Sequence, residues 1–177
     1  GLQSIVARNV DPKAMAVISV GAFQAGETHN VIPGKAVLKL SVRALDREVR
    51  ATLRRRIEEL VDAQARSFGV SCQMETVTGY PVLVNTPAET EFARQVAEEL
   101  VGAERVERQT EPLSGSEDFA FMLEEVPGSY LFIGNGDGPS DGHGACMVHN
   151  PGYDFNDANI PVGAAYWVLL TERFLAA

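Results

Sequence analysis

"AVLKLSVRALDREVRATLRRRIEELVDAQARSFG", residues 36–69, contains two periods in succession, and the change from one to the other decides the fold. Over residues 36–44 apolar and polar side chains alternate. Leu38, Leu40 and Val42 point to one face and Lys39, Ser41 and Arg43 to the other, the pattern of a half-buried strand. From Arg47 to Phe68 the period lengthens, and Val49, Leu53, Ile57, Leu60, Val61 and Phe68 form one helical stripe. Asp46 stands where an N-cap belongs and Gly69 where a C′ glycine belongs. The pattern predicts a strand followed at once by an amphipathic helix.

Working outward, "VSCQMETV" (70–77) is β-type and predicts a further strand. Upstream, "MAVISVGAF" (15–23) is apolar and β-branched, and "AGETHNVIPG" (25–34) has the glycine and proline punctuation of a loop. In "GLQSIVARNVDP" (1–12), Leu2, Ile5 and Val6 recur at helical spacing until Asp11-Pro12 stops them. The order helix tail, strand, strand, helix, strand is the remainder of a ferredoxin-like βαββαβ unit, an α+β domain over residues 1–78. The expectation is a chain that is the C-terminal piece of something longer.

Residues 78–87, "TGYPVLVNTP", predict a crossing into a second domain over 79–177. Thr86-Pro87-Ala88-Glu89 has capping-box spacing with proline at the first helical position. Phe92, Val96, Leu100 and Val101 supply the stripe, and Gly102 ends it. "LSGSEDFAFMLEEVPG" (113–128) reads as a Ser/Gly loop opening a short helix that Pro127-Gly128 stops. "SYLFIGNG" (129–136) reads as a buried-type strand, and "GNGDGPSDGHG" (134–144) as a plain loop lacking the Lys-Ser/Thr of a phosphate loop. "IPVGAAYWVLLTERFLA" is apolar on most sides and predicts a largely buried helix.

At 177 residues and 45% hydrophobic the chain is long enough to bury a core. A net charge of −9 argues against a nucleic-acid partner. No apolar run approaches the roughly 20 residues of a membrane span. Cys72 and Cys146 are too few for a disulfide framework, which favours a cytoplasmic protein.

Several polar residues have two readings each. His143, Cys146 and His149 stand at H-x2-C-x2-H and are all zinc-competent, but a structural site normally closes four ligands and no second Cys/His pair is present. The plain reading is a loop. Asn156, Asp157 or Asn159 could cap the following helix, and Asp154, Asn156 and Asp157 could instead support a ligand histidine. His29-Asn30 lies in a loop beside two strands, a common place for function and for ordinary turn chemistry. Arg43 could grip a carboxylate in a bidentate manner or serve as a surface cation. Ser114-Gly115-Ser116 could present amides to an anion or cap a helix. A serine nucleophile fits poorly, since no G-x-S-x-G elbow is present.

Together, "GETHNVIPG", "SGSEDFAFM", "GNG" and "HNPGYDFND" occur in an order and approximate spacing that resemble the dinuclear-metal amidohydrolases. That group includes hippurate hydrolase and N-acyl-amino-acid amidohydrolases, and the resemblance covers essentially the whole chain. It implies residues 1–78 as part of a ferredoxin-like lid, through which the family dimerises, and 79–177 as the last segment of an α/β catalytic domain. It further implies His149 as a metal ligand, Asn30 and Arg43 at the substrate's carboxylate end or the transition state, and Ser114, Gly115 and Ser116 as a substrate-binding loop. In the family two divalent ions, zinc, manganese or cobalt, activate a water, a glutamate is the general base, and a lid histidine steadies the oxyanion.

The departures from the family pattern are equally informative. The family's cysteine-and-histidine motif, its Glu-Glu pair, a further ligand histidine and the lid motif resembling GGHAAMPH have no counterparts in these residues. His143 and Cys146 match no family ligand. The resemblance therefore implies a chain with one metal ligand and no general base, inactive alone, whose substrate class is N-acyl amino acids. The alternative is a non-catalytic dimerisation or interaction module of the same descent, with a local zinc loop ranked behind both.

Overall fold

The computed structural model describes residues 1–136 and 146–176. In chain order the elements are α1 (Leu2–Asn9), β1 (Ala16–Ala25), β2 (Ala36–Ala44), α2 (Arg47–Ser67), α3 (Pro87–Val101), a single 3-10 turn (Ala103–Arg105), α4 (Phe119–Glu125) and α5 (Asn159–Ala176). They fall into two compact units. One comprises Gly1–Leu83 with Pro112–Ala120, the other Val84–Glu111 with Phe121–Ala177.

In the first unit the opening stretch folds as its periods require. β2 pairs antiparallel with β1, with Ile18 opposite Val42, Val20 opposite Leu40 and Phe23 opposite Leu38. A bulge between Val20 and Ala22 inserts one residue, which keeps Phe23 on the same face as Val20. Asp46 accepts from the Val49 N–H at 2.9 Å and caps α2. At the other end Gly69 adopts φ +66°, its N–H bonds Arg66 O, and the Val70 N–H reaches back to Ala65 O. These two bonds form a Schellman stop, and the left-handed residue it needs is the reason for a glycine there.

Ile5 of α1, Ile18 of β1, and Leu53 and Ile57 of α2 form the buried cluster, flanked by Leu2, Val6, Leu40, Val42, Val49, Leu60 and Val61. Burial fades toward the hairpin tip, where Phe23 and Leu38 are exposed, and Phe68 at the end of the α2 stripe is exposed as well.

Two expected strands do not form. Residues 70–77 and 129–136 join no ladder, and β1 and β2 are the only strands among the described residues. β-type composition describes a side chain that suits a pleated surface, but a strand exists only where a second backbone accepts its N–H and C=O groups. Among the described residues neither segment has such a ladder partner.

In the second unit α3 begins at Pro87 as expected, but the Thr86 hydroxyl makes no cap. It donates to the Gly128 carbonyl at 2.9 Å and accepts from the Gly128 N–H at 2.8 Å. α5 packs on α3. The Tyr166 hydroxyl donates to Ala93 O, Arg173 pairs with Glu99, and the Phe92 and Phe174 rings meet edge to face. The expected burial of α5 is not found: none of its residues is buried, and Trp167, Phe174 and Leu175 are largely exposed. One helical neighbour covers one stripe of a helix that is apolar on most sides.

Candidate functional site

Arg43 lies on the face of β2 opposite Val42, a placement fixed by strand alternation. Its Nη1 donates to the Ser114 carbonyl at 2.6 Å, and its Nε lies 3.4 Å from Ser41 Oγ. Residues 71 positions apart, singled out separately in the sequence, thus meet on one exposed surface of the first unit. Ser114, Gly115 and Ser116 are themselves exposed. Ser116 does not cap a helix, because α4 begins only at Phe119, whose N–H approaches the Glu117 carboxylate at 3.4 Å.

Asn30 lies in the loop joining β1 and β2, exposed, with Oδ1 accepting the Thr28 hydroxyl at 3.0 Å. That bond orients the amide within the loop, and its NH2 group donates to no protein atom among the described residues.

His149 is exposed and sits at φ +70°, the only non-glycine residue with positive φ among those described. Left-handed backbone costs an L-residue about 1–2 kcal/mol, so the local structure holds this conformation against a preference. The turns around it are well bonded. Asn150 N–H donates to Met147 O, Tyr153 N–H to Asn150 O, and Gly152 N–H to Asn150 Oδ1. Cys146 is half-buried with its Sγ beside Gly152. His143 lies outside the described residues.

Among the described residues no three His, Cys, Asp or Glu side chains gather as a metal site would require. Asn156 Oδ1 accepts the Ala158 N–H at 3.1 Å, in a turn ahead of α5.

Two residues, Asn85 and Asn135, escaped the sequence reading, and a third, Asn159, read there as a candidate helix cap, has a different partner. Asn85 Nδ2 donates to Tyr130 O and Asn85 Oδ1 accepts the Tyr130 N–H, at 2.9 and 2.8 Å. Asn135 Nδ2 donates to Asp154 O at 2.7 Å, and its Oδ1 accepts the Asn156 N–H at 2.9 Å. Asn159 Nδ2 donates to Gly134 O. The one signal for Asn135 was its place in the "GNG" motif. Nothing marked Asn85.

Residues 3–173 match the model of peptidase family M20/M25/M40, and the chain belongs to that family. The chain is 37% identical over 174 residues to a hippurate hydrolase of Campylobacter jejuni, which takes in 98% of this chain and 44% of that protein. It is 33% identical over 174 residues to an N-acetyl-L-cysteine deacetylase of Bacillus subtilis, covering 98% of this chain and 39% of the relative. A crystal structure from methicillin-resistant Staphylococcus aureus superposes with a TM-score of 0.77 at 25% identity, over 96% of this chain and 41% of that one. The chain thus spans about two fifths of the length of these proteins. Its fold is of this family's α/β type, and enzymes of the family are generally metal-dependent.

Proposed function

We propose that this chain is part of a metal-dependent amidohydrolase that cleaves the amide bond of N-acyl amino acids, hippurate-like substrates among them. The observation that carries the reading is the meeting of Arg43 with Ser114. With Nη1 committed to the Ser114 carbonyl, the guanidinium plane is fixed, and its Nη2 donates to no protein atom among the described residues. A carboxylate approaching Nη2 finds a cation that is already oriented, and less side-chain entropy is lost on binding. Ser114 to Ser116 form the wall beside it, and Asn30 presents an amide NH2 to a carbonyl or oxyanion.

In this reading the substrate's free carboxylate anchors on Arg43. His149 serves as one donor to a pair of divalent ions (zinc, manganese or cobalt), with the remaining donors and the general base outside the described residues. When bound, such ions lower the pKa of a shared water and polarise the amide carbonyl. Residues 1–78 act as a partial ferredoxin-like lid and residues 79–177 as catalytic-domain sequence. The 177-residue chain alone turns nothing over. The free thiols of Cys72 and Cys146, and the lack of any described helix long and apolar enough to cross a membrane, support a cytoplasmic setting.

The test is hydrolysis of hippurate and other N-acyl amino acids by the family-length enzyme carrying these residues, alongside Arg43→Ala and Arg43→Lys variants. Losing a charge-assisted bond of about 1.5–3 kcal/mol raises KM roughly 10- to 150-fold in R43A, with R43K intermediate. An unchanged KM in R43A, or no hydrolysis by the wild type with metal supplied, overturns the reading.

A second reading, a non-catalytic pairing module, draws on the outer edges of β1 and β2, which carry no ladder partner among the described residues. Unpaired edges are templates for another strand. The same edges support a homodimer formed through the lid in the enzyme reading. Light scattering showing a stable monomer at all concentrations counts against both forms of pairing.

A further inference from the structure

The segment 128–135 carries the apolar run Tyr130 to Ile133, yet no ladder holds it. Leu131, Phe132 and Ile133 are exposed, and no backbone bond ties 131–133 to another strand. Beyond one backbone bond, Thr86 N–H to Gly128 O, what fixes it is a set of side chains that imitate peptide units. Asn85 exchanges both an N–H and a C=O bond with Tyr130, the pattern of a hydrogen-bonded antiparallel pair. The Thr86 hydroxyl does the same with Gly128. At the far end Asn135 donates to Asp154 O and accepts from Asn156 N–H, so that its amide brackets Phe155 as a peptide unit of a parallel neighbour would. Asn159 closes the frame on Gly134 O.

This frame leads to His149. From Tyr153 back to Met147 the chain is a series of bonded turns, Tyr153 to Asn150 and Asn150 to Met147, with Gly152 tied to the Asn150 side chain, and Asp154 follows directly on Tyr153. His149 sits in the first of these turns in its left-handed conformation. A shift at Asp154–Asn156 is therefore passed along a short bonded segment, with little slack to absorb it.

We propose that Asn135 is a positioning residue for His149. Its side-chain amide takes the place of a missing strand, fixes residues 154–156, and through the turns behind them sets the placement of the imidazole. Asn135 need not touch substrate to do this. Its catalytic consequence rests on the amidohydrolase reading, whereas its structural consequence does not.

The experiment has two arms. In the first, amide exchange and histidine ring signals are followed by NMR on the 177-residue chain and its Asn135→Ala and Asn135→Asp variants. N135A raises exchange at the Asn156 amide about tenfold or more and moves the His149 ring signals, while the Gly128 and Tyr130 amides, held by Thr86 and Asn85, keep their protection. N135D retains an acceptor for the Asn156 N–H and loses the donor to Asp154 O, so protection at Asn156 survives while residues 147–154 still shift.

In the second arm the family-length enzyme bearing N135A shows kcat lowered about tenfold or more with KM for the N-acyl amino acid unchanged. Unchanged Asn156 exchange and His149 signals in N135A overturn the proposal. So does loss of protection at Gly128 and Tyr130 together with Asn156, since that marks a general structural role. So does a KM change with kcat intact. If the wild-type enzyme hydrolyses no N-acyl amino acid, the functional reading fails and the exchange arm still decides the role of Asn135.

Discussion

The first compact unit is organised around Ile5, Ile18, Leu53 and Ile57, four side chains from three elements that close over one another. Among the described residues the second has only Ala93 and Val96 as buried apolar groups, and it relies on hydroxyl and amide clamps at Thr86, Asn85 and Asn135. Apolar burial is non-directional and scales with area, whereas a clamp is directional and fails when either partner moves. The comparison teaches that one unit is held by packing and the other by particular atoms. The two should respond to different substitutions.

The largest expected effect is in the packed unit. Leu53 is 0% exposed, and Leu53→Ala leaves a cavity among Ile5, Ile18 and Ile57, costing about 2–5 kcal/mol. Amide exchange along α2 reads this loss directly. Trp167, the single tryptophan, lies in the second unit and reports on it by fluorescence. An L53A variant whose α2 exchange and Trp167 melting shift by equal amounts would mean that the two units unfold as one, which breaks the comparison.

Next comes the clamp. Thr86→Val keeps the shape of the side chain, removes both hydroxyl bonds to Gly128 and leaves the Gly128 N–H without its acceptor, while the Thr86 N–H still donates to Gly128 O. The cost is about 1–3 kcal/mol, read as a lower urea midpoint at Trp167. α2 exchange should hardly move. A smaller effect, about 1 kcal/mol, is expected for Asp46→Ala, which removes the α2 cap and should appear at α2 with Trp167 unaffected.

The same division explains what could be read from the sequence. α2 was legible from end to end because its determinants are local: a cap at Asp46, a stripe through Leu53 and Ile57, and a glycine stop at Gly69. Residues 70–77 and 129–136 were not, because their letters state a preference that only a partner backbone can satisfy. α5 shows the same limit, since its composition favours burial and α3 is the only helix packed on it among the described residues. At the site, Arg43 and Ser114 were each visible as candidates, but their contact spans 71 residues and is a product of folding. Asn85 and Asn135 reach 45 and 19–21 residues away, and an asparagine's own letter does not disclose its partner.

The smallest effect expected tests whether surface charge adds to the clamps. The Arg173 guanidinium holds the Glu99 carboxyl below the ordinary carboxylate range, and Arg94 does the same for Glu91. A carboxyl depressed in the folded state contributes fully above its unfolded value, and that contribution fades as pH falls through the folded value. The second unit should therefore lose stability on the acid side, below the ordinary carboxylate value of 4.5, and gain nothing on the alkaline side. Both pairs are exposed, so the effect is small and shrinks with added salt. Urea midpoints read at Trp167 near neutral pH and near about pH 3.5, with and without Arg173→Gln, measure it. R173Q should lower the midpoint at neutral pH and flatten the acid decline, and identical profiles would leave α3 and α5 joined by Tyr166 and apolar contact alone.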